Sequence, residues 1–121
     1  MINYSICNEK PQCFSFSSKR DLYKLPCGDI QYFESFNRII HFYTANSSYE
    51  FYGKLNDLEE MLFGTEQHYI RIHQSYLVNF KYIRILKNSE VVLVNGKILP
   101  ISPNRQKQAR QEFRRLAQYR T

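Results

Sequence analysis

Short runs of aromatic and β-branched residues, each broken after a few positions by Asn, Ser, Gly or Pro, run from Cys13 to Ser102. Cys13-Phe14-Ser15-Phe16-Ser17 alternates with period two, the mark of a strand with one buried face. Leu22 to Leu25 reads as a second strand stopped by Pro26 and Gly28, and Ile30 to Glu34 as a third. Ser35-Phe36-Asn37 then reads as a connection into a longer strand from Arg38 to Thr44. Asn46-Ser47-Ser48 supplies a turn, so Tyr49 to Tyr52 should pair back as a hairpin. Farther on, Tyr69 to Ile72 and Tyr82 to Leu86 read as strands, with His73 to Val78 as an irregular or single-turn crossing between them. Val91 to Val94 and Lys97 to Leu99 flank Asn95-Gly96, the strongest two-residue hairpin signal, predicting φ > 0 at both turn positions.

Helical periodicity occurs twice. Leu55, Leu58, Met61 and Leu62 share one face of an internal helix that Gly64 stops. Asn56 is its expected N-cap, with Glu59 closing a capping box. The acids Asp57, Glu59, Glu60 and Glu66 are expected to face outward, away from any polyanion. Ser102-Pro103 opens a C-terminal helix over about 103–119, with Ala109, Phe113, Leu116 and Ala117 as its apolar stripe. The expectation is a mainly β fold of one domain over 1–121.

Composition narrows the function. The 121 residues suffice for a single core, and no apolar run approaches the ~20 residues that span a bilayer. With no charged-then-apolar start, a cytoplasmic protein is expected. Cys7, Cys13 and Cys27 are odd in number and lack C-x-x-C spacing, so free thiols are expected. The net charge of +6 is uneven: from Pro100 onward Arg105, Lys107, Arg110, Arg114, Arg115 and Arg120 face only Glu112. A basic end of this kind suits an anionic partner.

Catalytic and metal chemistry find no foothold. His41, His68 and His73 lack ligand spacing, no phosphate-binding glycine loop is present, and Ser75 has no nucleophile elbow around it. No enzyme, metal or cofactor is expected. What remains is a set of polar side chains at strand-to-loop junctions: Asn37-Arg38, Arg71 with Gln74-Ser75, and Ser102-Pro103-Asn104-Arg105, with Lys107 just beyond. These residue types hydrogen-bond to base edges and phosphates.

Four blocks in order are also familiar: Asp29 to Ser35, Tyr49 to Leu55 with Leu58-Glu59, Arg71 to Asn79, and Val91 to Ser102. Between about Cys13 and about Arg105 the chain resembles the LytTR DNA-binding domain, the output domain of AgrA/LytR-type bacterial response regulators. The resemblance implies an elongated sandwich of about ten short strands in three small sheets. It also implies promoter binding through loops that enter successive major grooves and bend the duplex, two copies commonly sharing a direct repeat. Asn37 then matches the loop where some members place a base-reading His, and Gln74 matches the reader of the R-x-H-x-S motif. Arg71 and Ser75 flank Gln74 as phosphate contacts. Asn104 or Arg105 matches the reader after P-I-S; where many members carry two consecutive basic residues there, this chain has Pro103-Asn104, and Arg105 is the preferred third reader. The usual companion is a receiver domain, and none fits within these residues because the strands begin so early. The competing reading is a non-catalytic protein-interaction or sensory β domain.

Overall fold

The computed structural model describes residues 3–119, for Tyr119 the backbone alone; Arg120, counted above in the basic end, lies outside them. The first sheet joins β1 (Tyr4–Ile6), β2 (Cys13–Ser18) and β3 (Asp21–Pro26) in that order. The five-stranded middle sheet has the order β6-β5-β4-β8-β7, from β4 (Tyr32–Phe36), β5 (Ile39–Tyr43), β6 (Ser48–Tyr52), β7 (Tyr69–His73) and β8 (Tyr76–Asn79). The third joins β9 (Ile83–Leu86), β10 (Glu90–Leu93) and β11 (Ile98–Pro100). Helix α1 (Leu55–Leu62) links β6 to β7, and α2 (Gln106–Tyr119) follows a 3-10 turn at Pro103–Arg105. All pairings are antiparallel. The mainly β, three-sheet expectation holds, with eleven strands among the described residues.

The middle sheet is buried on both faces, because successive side chains of a strand point to opposite sides. Phe33, Ile40, Phe42, Phe51 and Leu77 face one core, closed by Phe14 and Phe16 of β2 and by Leu55, Leu58 and Leu62 of α1. Their neighbours Tyr32 and Val78, with Ile70 and Ile72, face the other, closed by Val91, Leu93, Leu99 and Ile101 and by Ala109 and Leu116 of α2. The first core is largely aromatic. Phe14 meets Phe33, Phe42 and Phe51 at 5.6–5.8 Å between ring centres, edge-on or tilted. Each ring so buried contributes about 1.5–3 kcal/mol.

Several local expectations are corrected. Strand β4 continues through Phe36, which pairs with Ile39, so the connection is only Asn37-Arg38. The segment from His73 to Val78 is no crossing but a tight hairpin, with His73 opposite Tyr76. Only Gly96 has positive φ (91°) in the β10–β11 loop; Leu93 N–H donates to Lys97 O, making a three-residue loop with glycine in the left-handed place. Lys54, not Asn56, precedes α1, and no side chain caps it. Ala117 is exposed, so the stripe of α2 is Ala109, Phe113 and Leu116. Strand β1 was not foreseen; three residues with one buried ring leave little periodicity to read.

Candidate nucleic-acid interface

Strand register decides where the polar junctions lie. Tyr52 pairs with Ile39, Ile39 with Phe36, and His73 with Tyr76, which on its other side pairs with Glu34 of β4. The β4–β5 turn, the β7–β8 turn and the start of α1 therefore leave the middle sheet at the same end. Ser35 N–H donates to Ser75 O at 2.9 Å, tying the first two turns together. The third junction joins them from the other core: Ser102 N–H donates to Ile72 O at 2.9 Å, and Arg105 N–H to Ser102 O at 2.9 Å.

Each turn is shaped by its own residues. Asn37 and Arg38 sit at φ 53° and 66°, a two-residue loop in which both residues are exposed. Asn tolerates that backbone; Arg adopts it at a cost. Gly53 follows the neighbouring strand, its N–H donating to Arg38 O at 3.0 Å. A Cβ there would lie 3.2 Å from Ile40 Cδ1 and 3.3 Å from Tyr4 Cε1, so a larger residue would require those two side chains to give by a few tenths of an ångström. In the β7–β8 turn, His73 Nδ1 accepts from Ser75 N–H at 3.0 Å. Arg71 binds the turn from below: Nε donates to His73 O at 2.8 Å and Nη2 to Gln74 O at 2.6 Å. Its Nη1 reaches Glu59 Oε1 at 2.7 Å and Asn56 Oδ1 at 2.8 Å, so the guanidinium locks the turn to α1. An open cleft of about 600 Å³ results, lined by Asn37, Arg38, Lys54, Asp57, Gln74 and Ser75.

A family model described as the LytTr DNA-binding domain matches residues 20–114. The chain belongs to that family. Among solved structures it is similar to the LytTr DNA-binding domain of a Bacillus cereus protein described as a methyl-accepting/DNA response regulator. The TM-score is 0.65 at 18% identity, over 88% of this chain and 97% of that one, a likeness of fold. No curated protein matches the chain at a significant level.

Within this LytTR chain the expected residues separate by exposure. Asn37, Arg38, Gln74, Asn104 and Lys107 are exposed, Ser75 and Arg105 half-buried. Arg71 is corrected: its side chain is only 6% exposed and every nitrogen is engaged, so it is not presented outward. Ser102 directs its hydroxyl to Ile72 O at 3.4 Å. The acids face outward as expected, Asp57, Glu60 and Glu66 exposed and Glu59 half-buried, but their distance from this end is corrected. Asp57 lines the cleft, Glu59 holds Arg71, and Glu66 lies 3.4 Å from Lys10. Lys54 was missed; the only signal was its place between a strand end and a helix start. Nor does the basic helix concentrate at this end. Phe113 packs on Phe80, past the far end of β8, and Arg110 donates to Asn88 Oδ1 at 2.7 Å.

Proposed function

We propose that this LytTR chain is a sequence-specific transcriptional regulator that reads double-stranded promoter DNA with this end of the middle sheet. The observation that carries the reading is the convergence of three sequence-distant junctions, stitched by the Ser35–Ser75 and Ser102–Ile72 hydrogen bonds. Gln74 and Asn37 carry amides suited to adenine edges, and Arg105 a fork suited to guanine. Arg38 and Lys54, with Ser75 in the same cleft and Ser102, Asn104 and Lys107 at the third junction, hold phosphates. Arg71 acts through Gln74, fixing the carbonyl of the residue it positions. The partner is promoter DNA, bent on binding, with two copies on a direct repeat. The chain acts in the cytoplasm without catalysis or cofactor, as the output of a two-component regulator or as a standalone member; the similar Bacillus cereus protein is itself described as a DNA response regulator.

Selection of bound duplexes from a random pool tests this. A recurring motif is expected, with affinity falling steeply as salt rises. Gln74→Ala should lose roughly 1–3 kcal/mol of discrimination at one base pair. No enrichment, with no binding even at low salt, would overturn the reading. It would favour a protein-docking domain instead, for which the exposed Leu22 and Phe63 (86% and 92%) are the available anchors.

A further inference from the structure

Two hairpins carry all the left-handed non-glycine residues among the described ones: Asn37 and Arg38, and Lys19 and Arg20 at φ 51° and 77°. Ser18 pairs with Asp21, so Lys19 and Arg20 are the whole β2–β3 loop, and both are exposed. Asn and Gly suit such a loop, because the left-handed backbone costs other residues about 1–2 kcal/mol each. Two long cations are a poor structural choice there. Strain of this kind gathers where a ligand is met. Among the described residues neither cation forms an ion pair.

Their position links them to the interface. Lys19 and Asn3 line one surface cleft with Tyr52, and Asn3 and Tyr52 line the next with Arg38 and Lys54. Arg38 and Lys54 in turn line the cleft of Gln74 and Ser75. Asn3 anchors this path: its Nδ2 donates to Tyr52 O at 3.2 Å and its carbonyl accepts from Ser17 N–H at 3.0 Å. The hairpin is thereby fastened to the edge strand that ends at the interface. The acids along the path are Glu50, held 3.6 Å from His41, and Asp57.

We infer that the β2–β3 hairpin is a further contact to duplex DNA, with Lys19 and Arg20 gripping backbone phosphates beyond the base pairs that Gln74 faces. The hairpin lengthens the footprint and reads no sequence. This rests on the DNA-binding reading above.

The double variant Lys19→Asn/Arg20→Gly tests it without unfolding the chain, since it installs the preferred turn and should raise Tm. Titration of the full chain on a selected duplex at several salt concentrations is the measurement. Loss of two phosphate contacts should make the slope of log K against log salt shallower by about 1.8. Affinity should fall several-fold, equally for matched and mismatched duplexes. Lys97→Gln removes a cation from the β10–β11 loop and should leave the slope in place. A wild-type slope in the double variant would overturn the hairpin contact alone. Failure of the wild-type chain to bind any duplex would remove both readings.

Discussion

The two ends of the middle sheet are built on opposite principles. At one end buried polar groups are paired among themselves. Gln31 and Asn79, 4% and 1% exposed, are the buried polar residues among those described. Asn79 Nδ2 donates to Ile30 O at 3.0 Å and Gln67 Oε1 at 3.1 Å, and its Oδ1 accepts from Lys81 N–H at 3.0 Å. Gln31 N–H donates to Tyr43 O, and its carbonyl accepts from Asn79 N–H. At the other end the paired group is Arg71, and its bonds serve to present Gln74 and Ser75 rather than to hide them. Buried polar groups must be satisfied wherever they lie. What distinguishes the second end is that the satisfied group holds up others whose side chains are left exposed.

The contrast breaks most sharply at Asn79. Asn79→Ala strands the Ile30 carbonyl, Gln67 and the Lys81 N–H, and should cost about 3 kcal/mol in denaturant unfolding. The folded fraction should keep its DNA affinity; a specific loss of binding would place Asn79 in the interface. Arg71→Ala should cost less, about 2 kcal/mol, because Glu59 is 44% exposed and can take up water. Its affinity loss should copy that of Gln74→Ala in sequence discrimination, and Arg71→Lys should not restore it, since one ammonium cannot replace the fork. A change confined to the salt slope would make Arg71 an ordinary phosphate contact after all.

That division was only half legible in the sequence. Period-two runs marked most strands, since alternating burial is what the middle sheet and β2 impose. The Asn37-Arg38, Gln74-Ser75 and Ser102-Arg105 junctions could be picked out as polar bends, but their common end depends on register, a long-range property. Arg71 was misjudged for the same reason. Its neighbours in sequence are strand residues, while the groups that consume its charge, Asn56 and Glu59, come from a helix 15 and 12 positions away. The acidic face of α1 looked like a solvated surface because an ion pair formed across elements leaves no local pattern.

Alkali should act on the closed end, with a smaller effect because the half-buried Tyr43 keeps some solvent contact. Tyr32 and Tyr43 stack there at 4.6 Å between centres. Burial, then the hydrogen bond to Glu34 Oε1 at 3.0 Å, pushes the Tyr43 hydroxyl up to about 12. Tyr32 is pushed up too, first by burial and then by Tyr43. Unfolded tyrosines ionise near ~10. Between that value and about 12 the unfolded chain has released protons that the folded chain retains. Stability is therefore full below pH ~10 and declines as pH rises through the window. Urea midpoints measured across it should fall, and Tyr43→Phe should flatten the decline. A level midpoint would show that these rings ionise freely in the fold.

The smallest effect belongs to the end that carries Gln74 and has the opposite sign. Arg38→Gly relieves a left-handed arginine at φ 66°, and should stabilise the chain by about 1 kcal/mol. The same change removes a cation from the cleft, so the salt slope of DNA binding should become shallower by about 0.9. Stability gained while affinity is lost is what a strained residue kept for its ligand must show. If Arg38→Gly raised the unfolding midpoint and left binding untouched, the strain at this turn would have no connection with DNA. The contrast between the two ends would then rest on Arg71 and Gln74 alone.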